Sequence, residues 1–462
     1  MTHEWPAGGI RLSELFGTDG IRGAANQYPV DCETALKAGR AIAAYFDAEK
    51  QVPDRFIIGQ DTRISGNMLV SALAAGICSM GKDVYLTGVL PTPGVAQLTA
   101  TNRFNAGIVI SASHNPFYDN GFKLFNGDGY KLSDAAERAI EQLIDDGGLL
   151  YQKSQTIERV GRIHHIDNAQ DHYGRFLQNC LAAGPSLAGM KLTIDCSNGA
   201  ASQIAPTLFE NLGTTVQTIF CEPDGININD NCGSQHPGAL ARMVVAENAD
   251  LGLAFDGDAD RLIAVDEKGR VLSGDQVMAI CAKDMKVKGE LTNPVVVTTV
   301  MSNMGFGAAL KKLGIGHIKA QVGDRYVMQE MVKAGAVFGG EDSGHMIFLN
   351  HHTTGDGMLA ALKLMQAMRS SGKPLSELAT VMTVFPQCLI NVNVKSKPEI
   401  DTIDAVMRAI QTVENQLGGS GRVLVRYSGT QPQCRVMVEG PTEQETKSFC
   451  QQIASEVSKA LG

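Results

Sequence analysis

Short apolar runs of strand type recur along this chain, and they break off abruptly into glycine, small hydroxyl residues or acids. Phe56-Ile57-Ile58-Gly59 leads into Gln60-Asp61-Thr62-Arg63, and Gly107-Ile108-Val109-Ile110 leads into Ser111-Ala112-Ser113-His114-Asn115-Pro116. Leu251 to Phe255 runs straight into Asp256. Between such runs lie segments whose apolar residues fall at helical spacing, so strand and helix alternate and the chain is confined to an α/β architecture. Open α/β sheets put their chemistry at strand ends, and Asn-Pro at 115–116 forces a turn there.

At 462 residues there is room for three or four domains. Residues 1–164 read as a first α/β domain, with a helix from Cys32 to Phe46 capped by Asp31 and a helix from Leu69 to Met80. A strand at Val84–Leu86, a helix starting at Val95 and a helix from Ser133 to Ile144 complete it. Residues 165–268 give a second domain: strand Lys191–Asp195, turn Cys196–Gly199, strand Val216–Phe220, helix Gly238–Asn248 and strand Leu251–Phe255. A third, 269–384, carries strand Val295–Val300, helix Met304–Leu313, strand-like Ala336–Phe338 and helix Met358–Met368, and Pro386 marks a break. Residues 385–462 read as a smaller α+β domain of ββαβ-like order, ending in a helix from Thr442 to Leu461.

The overall balance narrows the partners. A net charge of −9 lacks the basic footprint that nucleic acid demands, while leaving anionic small molecules open through local arginine and lysine clusters. The first twenty residues carry no apolar signal-peptide core, and no apolar run is long enough to span a bilayer, so a cytoplasmic protein with no membrane partner is expected. No two of the ten cysteines are spaced with two residues between them, which excludes the usual zinc and redox spacings.

Among the motifs, Asp256-Gly257-Asp258-Ala259-Asp260-Arg261 is the sharpest. In an extended segment its three carboxylates point to one side, an arrangement of hard oxygen ligands suited to Mg²⁺ or Mn²⁺. A calcium loop matches the three acids and finds Glu267 at its twelfth position, but Arg261 stands where that loop needs glycine. An Asp-nucleophile phosphohydrolase loop and a solvated acidic turn also fit the local pattern. Gly76 to Lys82 is a near miss for a nucleotide-binding loop, rejected because Asp83 replaces the closing hydroxyl and a helix precedes it. Gly339-Gly340-Glu341-Asp342-Ser343-Gly344-His345 gathers acceptors suited to sugar hydroxyls. Arg426-Tyr427-Ser428-Gly429-Thr430-Gln431-Pro432, with Arg435, forms a nest-like anion site between two short strands.

Taken together and in order, FGTDGIRG at 16–23, SASHNP at 111–116, DGDADR at 256–261, VGDRYV at 322–327, TTGDG at 353–357 and RYSGTQPQCRVMVEG at 426–440 resemble the α-D-phosphohexomutase superfamily, and within it the phosphoglucosamine mutases. The resemblance covers essentially the whole chain. It implies four domains, three similar mixed-sheet α/β domains and a smaller C-terminal α+β domain, forming a heart-shaped molecule around a central cleft. It implies interconversion of glucosamine 6-phosphate and glucosamine 1-phosphate through a phosphoserine enzyme and a 1,6-bisphosphorylated sugar, with glucose or mannose phosphates as alternative substrates. Ser113 matches the phosphorylated serine, and Asp256, Asp258 and Asp260 match the ligands of one Mg²⁺, completed by the Ser113 phosphate. Lys123 resembles a candidate general base, with Arg22, His114 and Arg261 around it. Glu341, Ser343 and His345 fall on the sugar-recognition loop, Asp324 and Arg325 on a further substrate-binding motif, and Arg426, Ser428, Gly429, Thr430 and Arg435 on the loop for the non-reacting phosphate. A hexose or hexosamine phosphate is the implied partner, and the protein is expected as monomer or homodimer.

Two positions depart from the phosphoglucosamine mutase pattern: Asp342 where glutamine is usual, and Gln431 where glutamate is usual. A carboxylate at 342 favours an ammonium-bearing sugar, because charge-assisted hydrogen bonds are stronger than neutral ones. Two other classes compete: an Asp-nucleophile phosphatase using Asp256, indifferent to Ser113, and a phosphosugar-binding protein without catalysis. Lys123 acts as a base only if burial lowers its pKa.

Overall fold

The computed structural model describes residues 15–17, 19–48, 55–146, 157–181, 184–428 and 432–462. By contact density it divides into two compact units, one of residues 1–271 with 345–372, the other of residues 272–344 with 373–462.

The first unit holds two sheets. In the larger, strands lie in the order Phe16–Gly17, Gly20–Ala24, Asp119–Asn126, Ala106–Ile110, Arg55–Gln60, Asp83–Val89, Ile163–His165. Its centre is parallel, and Asp119–Asn126 runs antiparallel beside Ala106–Ile110 with Lys123 opposite Val109. Every residue of Ala106–Ile110 is buried, which explains why this strand reads as an unbroken apolar run without alternation. The helices Cys32–Ala48 and Gly66–Ser79 cross where Gly39 and Gly76 face one another's turns. A Cβ at Gly39 would lie 2.3 Å from the Leu73 carbonyl, so only glycine permits that approach. Asp31 caps the first of these helices as expected, its Oδ1 accepting from Thr34 N at 2.7 Å, and Ser133 caps Asp134–Asp145. In the second sheet, Leu262–Asp266, Leu251–Phe255, Lys191–Asp195 and Thr215–Ile219 lie side by side. The helix Gly357–Ser371 belongs to this unit, its Lys363 and Gln366 donating to the Cys180 and Leu181 carbonyls.

His352 precedes that helix and is buried. Its Nδ1 accepts from Thr353 N at 2.8 Å, so Nε2 carries the proton toward the Pro93 carbonyl at 2.8 Å. Burial lowers its pKa from 6.5 to about 4. Between those values the unfolded chain binds the extra proton, so the contribution of His352 to stability is complete above about pH 6.5 and gone by about pH 4. Denaturant titrations of a His352→Gln variant at pH 5 and pH 7.5 should show the stability gap between the two pH values narrowed by roughly 2 kcal/mol. An unchanged gap contradicts this assignment.

In the second unit, Gly316–Ala320, Val295–Thr299 and Phe338–Gly340 form parallel pairs around the central Val295–Thr299. The C-terminal segment is a three-stranded antiparallel sheet, ordered Gln387–Asn393, Gln433–Glu439, Arg422–Tyr427, with helices Asp404–Leu417 and Glu443–Leu461. Its chain order is βαββα and not ββαβ, since the helix Asp404–Leu417 follows the first strand and the hairpin of Arg422–Tyr427 and Gln433–Glu439 comes after it. Arg422 ties this sheet to the neighbouring domain: it pairs with buried Glu439 at 2.8 Å and donates to the Val300 and Ser302 carbonyls. Asn303 brackets the Pro386 break, exchanging hydrogen bonds with both the N–H and the carbonyl of Phe385.

Candidate active site

The strand Ala106–Ile110 delivers Ser111, Ala112 and Ser113 into a buried turn. Ser113 adopts a left-handed backbone (φ 52°), an unfavourable state for a residue with a Cβ, so the surroundings must hold it there. Its Oγ donates to Asp256 Oδ2 at 2.5 Å. Gly257 makes that approach possible, because a Cβ there would lie 2.6 Å from the Ser113 carbonyl.

Asp256, Asp258 and Asp260 are all buried, and one carboxylate oxygen from each lies within 4.8 Å of the others. Their convergence is not that of an extended segment, as expected above. Ala259 is left-handed (φ 57°), Ala259 N donates to the Asp256 carbonyl and Arg261 N to Asp256 Oδ1, so a tight turn brings the acids together. Burial and the two neighbouring acids drive the pKa of Asp256 well above the usual carboxylate range. Asp258 Oδ1 and Asp260 Oδ1 are buried with no hydrogen-bond donor among the described residues. Three converging carboxylates, two of them with an oxygen left without a donor, fit a hard divalent cation.

Cations surround the acids. Lys123 Nζ lies 2.6 Å from Asp258 Oδ2, 3.1 Å from Asp260 Oδ2 and 3.5 Å from Asp19 Oδ2. Burial pulls the Lys123 pKa down, but Asp19, Asp258 and Asp260 outweigh it and hold the pKa well above the ordinary lysine value. In this geometry Lys123 is the counter-ion of three carboxylates. Arg22 and Lys131 both pair with Asp19, and Arg261 stands 3.8 Å from Asp260. Burial, then Arg261 and Arg22, lower the His114 pKa to about 4, so it is a neutral donor or acceptor near pH 7. Asp19, Asp256, Asp258 and Asp260 thus meet Arg22, Lys123, Lys131 and Arg261. A dianionic phosphoryl group and a dication can join such a cluster together without changing its net charge.

His345 is also here. Its Nδ1 lies 3.6 Å from Asp260 Oδ1, and its Nε2 accepts from Gly355 N, so within the first unit it stands behind the acidic turn. The remaining residues of its motif are in the second unit. Glu341 Oε1 accepts from Gly323 N at 3.1 Å, which joins the 341–344 loop to the turn carrying Asp324 and Arg325. Ser343 sits on that loop, and Gly344 N donates back to the Glu341 carbonyl. In the C-terminal hairpin Arg426 and Arg435 are cross-strand partners, and burial and then Arg435 lower the Arg426 pKa. Ser428 N donates to the Gln433 carbonyl, and Lys397 Nζ to the Ser428 carbonyl. Gly429 and Thr430 lie outside the described residues.

Several residues of this site escaped the sequence reading. Asp19 and Lys131 complete the ion cluster, and Thr92 holds Asp258 through its hydroxyl at 2.5 Å. Asp61 and Arg63 underlie the Ser113 turn. The signal for the last pair was present: an acid and a base two apart, directly after a buried strand.

Family models for phosphoglucomutase/phosphomannomutase match in sequence order: alpha/beta/alpha domain I at residues 13–149, domain II at 171–269, domain III at 273–385 and the C-terminal domain at 389–456. The chain belongs to this family. Its fold has the expected composition, mixed α/β sheets in three domains and a smaller C-terminal one. A phosphoglucosamine mutase from Syntrophus aciditrophicus (strain SB) is 55% identical over 451 residues, which are 98% of this chain and 100% of that protein. Among solved structures, a phosphoglucomutase/phosphomannomutase family protein from Burkholderia thailandensis superposes with a TM-score of 0.79 at 22% identity, covering 97% of each chain. The N-acetylphosphoglucosamine mutase of Aspergillus fumigatus, in complex with GlcNAc-6P and magnesium, superposes with a TM-score of 0.68 at 16% identity over 97% of this chain and 96% of that one. At these identities the two structures speak for the fold. No helix among the described residues is long and apolar enough to cross a membrane.

Proposed function

We propose that the chain is a phosphohexomutase that interconverts glucosamine 6-phosphate and glucosamine 1-phosphate, with Ser113 carrying the phosphoryl group. The single observation that carries this reading is the 2.5 Å contact between Ser113 Oγ and Asp256, inside a buried cluster of three acids balanced by cations. The 55% identical phosphoglucosamine mutase supports the choice of sugar. Asp256, Asp258 and Asp260, with the phosphate of Ser113, are assigned to hold one Mg²⁺. When bound, the ion serves as a Lewis acid for the transferring phosphoryl oxygens.

The chain's own residues do the positioning. Phosphoryl transfer is mainly alignment and charge stabilisation, and Arg22, Lys123 and Arg261 supply the charge while neutral His114 supplies a hydrogen bond. The phosphoryl leaves Ser113 Oγ for a sugar hydroxyl, whose proton passes to the freed Ser113 Oγ, giving a 1,6-bisphosphate. The intermediate turns over, and Ser113 takes back the other phosphoryl. Glu341 and Ser343 are assigned to the sugar hydroxyls, Asp324 and Arg325 to the adjoining substrate contacts, and Arg426, Ser428, Gly429, Thr430 and Arg435 to the phosphate that is not reacting. His345 is assigned to the same recognition motif, although its ring is directed at Asp260.

A coupled assay comparing glucosamine, glucose and mannose 6-phosphates tests the assignment. The largest kcat/KM is expected for glucosamine 6-phosphate, and a clear preference for either neutral sugar overturns the sugar assignment. Asp342→Asn should lower kcat/KM for the amino sugar by about 10-fold, the value of a hydrogen bond to a charged group, while leaving glucose 6-phosphate unchanged. A preference that survives this substitution removes Asp342 from sugar selection.

A further inference from the structure

Arg63 and Asp61 lie at the end of the strand Arg55–Gln60, and both are buried. Arg63 Nε pairs with Asp61 Oδ2 at 2.9 Å. The rest of its guanidinium faces the backbone of the Ser113 turn. Nη2 donates to the carbonyls of Ser113 at 3.0 Å and Asn115 at 2.8 Å, and Nη1 to those of Asp119 at 3.0 Å and of Pro116. Asp61 Oδ2 accepts from Ser111 Oγ at 2.6 Å, and the same hydroxyl accepts from Ser113 N at 2.9 Å. Both backbone polar groups of Ser113 are therefore held, directly or through one hydroxyl, by a single buried ion pair. Asn229 adds a second donor to the Ser113 and Asn115 carbonyls.

We propose that the Asp61–Arg63 pair is a positioning brace that fixes the left-handed backbone of Ser113, and through it the direction of the phosphoryl-carrying Oγ. The proposal rests on the reading of Ser113 as carrier. Four carbonyls that converge on one side of a turn cannot pair with a strand, and buried acceptors without donors are costly. A planar guanidinium with five donors can serve all four while binding a carboxylate, whereas an ammonium offers three donors from one point. Neither residue makes a hydrogen bond or ion pair with the acids at 256–260 among the described residues, so the brace acts on them through the Ser113 backbone.

The test uses full-length Arg63→Ala, Arg63→Lys and Ser111→Ala proteins, with glucosamine 6-phosphate kinetics and the mass of the Ser113 peptide as paired measurements. Arg63→Ala should lose about 10²-fold in kcat with KM changed little, the cost of misplacing a reacting group by about an ångström. Millimolar methylguanidinium should restore part of that loss in Arg63→Ala and none in Ser111→Ala, while Arg63→Lys should remain impaired. Ser111→Ala deletes one hydroxyl and keeps the fold, so it decides the matter if the Arg63 variants do not accumulate as folded protein. It should lose about 10-fold in kcat. Wild-type kcat in Ser111→Ala or in folded Arg63→Ala overturns the brace. A wild-type enzyme that turns over without phosphate on Ser113 overturns the carrier reading instead, so the two failures are distinct.

Discussion

Ser113→Ala protein will convert glucosamine 6-phosphate at least about 10⁴-fold more slowly than wild type, even with glucosamine 1,6-bisphosphate supplied, because removal of a nucleophile leaves only binding and charge stabilisation. The loss should appear in kcat, with the affinity for the sugar phosphate largely kept, since Glu341, Arg426 and Arg435 remain. Stability should change little. Ser113 is strained in the left-handed region, and alanine there loses only the hydrogen bond to Asp256. An Asp-nucleophile phosphatase working through Asp256 makes the opposite forecast, with inorganic phosphate released at a rate indifferent to the hydroxyl at 113. Progress curves followed by ³¹P NMR separate the two, because mutase product, bisphosphate and free phosphate have distinct signals.

The second large effect is expected at Asp258. Its Oδ2 meets both Lys123 at 2.6 Å and Thr92 at 2.5 Å, while Oδ1 has no hydrogen-bond donor among the described residues. Asp258→Asn keeps the shape, removes one negative charge and offers an amide where a cation ligand is needed. Turnover should fall by about 10³-fold, as fits the loss of several kcal/mol of charge stabilisation. Binding of Mn²⁺, read directly by electron paramagnetic resonance, should weaken in parallel. Unchanged Mn²⁺ affinity in this variant removes Asp258 from the cation site whatever happens to the rate.

The strands were the most legible part of the molecule. Leu251–Phe255 coincides with its apolar run, because burial on both faces leaves no polar residue to blur the boundary. Caps at Asp31 and Ser133 were readable for a similar local reason. What failed was anything decided by backbone conformation at non-glycine residues. Ala259 at φ 57° turns the acidic segment, and nothing in Asp-Ala-Asp announces a left-handed alanine. His345 could be assigned to a motif but not to a face, and its position behind Asp260 depends on a bridge between Arg261 and His345 far apart in sequence. Lys123 was correctly brought to the acids, yet the direction of its pKa depended on counting every carboxylate around it, Asp19 included. Arg63 was passed over although an acid and a base two apart follow a buried strand there, because that pattern does not say that the guanidinium turns back onto carbonyls.

The most direct measurement is to treat the protein with glucosamine 1,6-bisphosphate carrying ³²P, quench it in acid and map the label by peptide mass spectrometry. Label on the Ser113 peptide, resistant to hydroxylamine and discharged by added glucosamine 6-phosphate, is the predicted result. Hydroxylamine-sensitive label on the peptide of Asp256, or no covalent label in an enzyme that still turns over, contradicts the account.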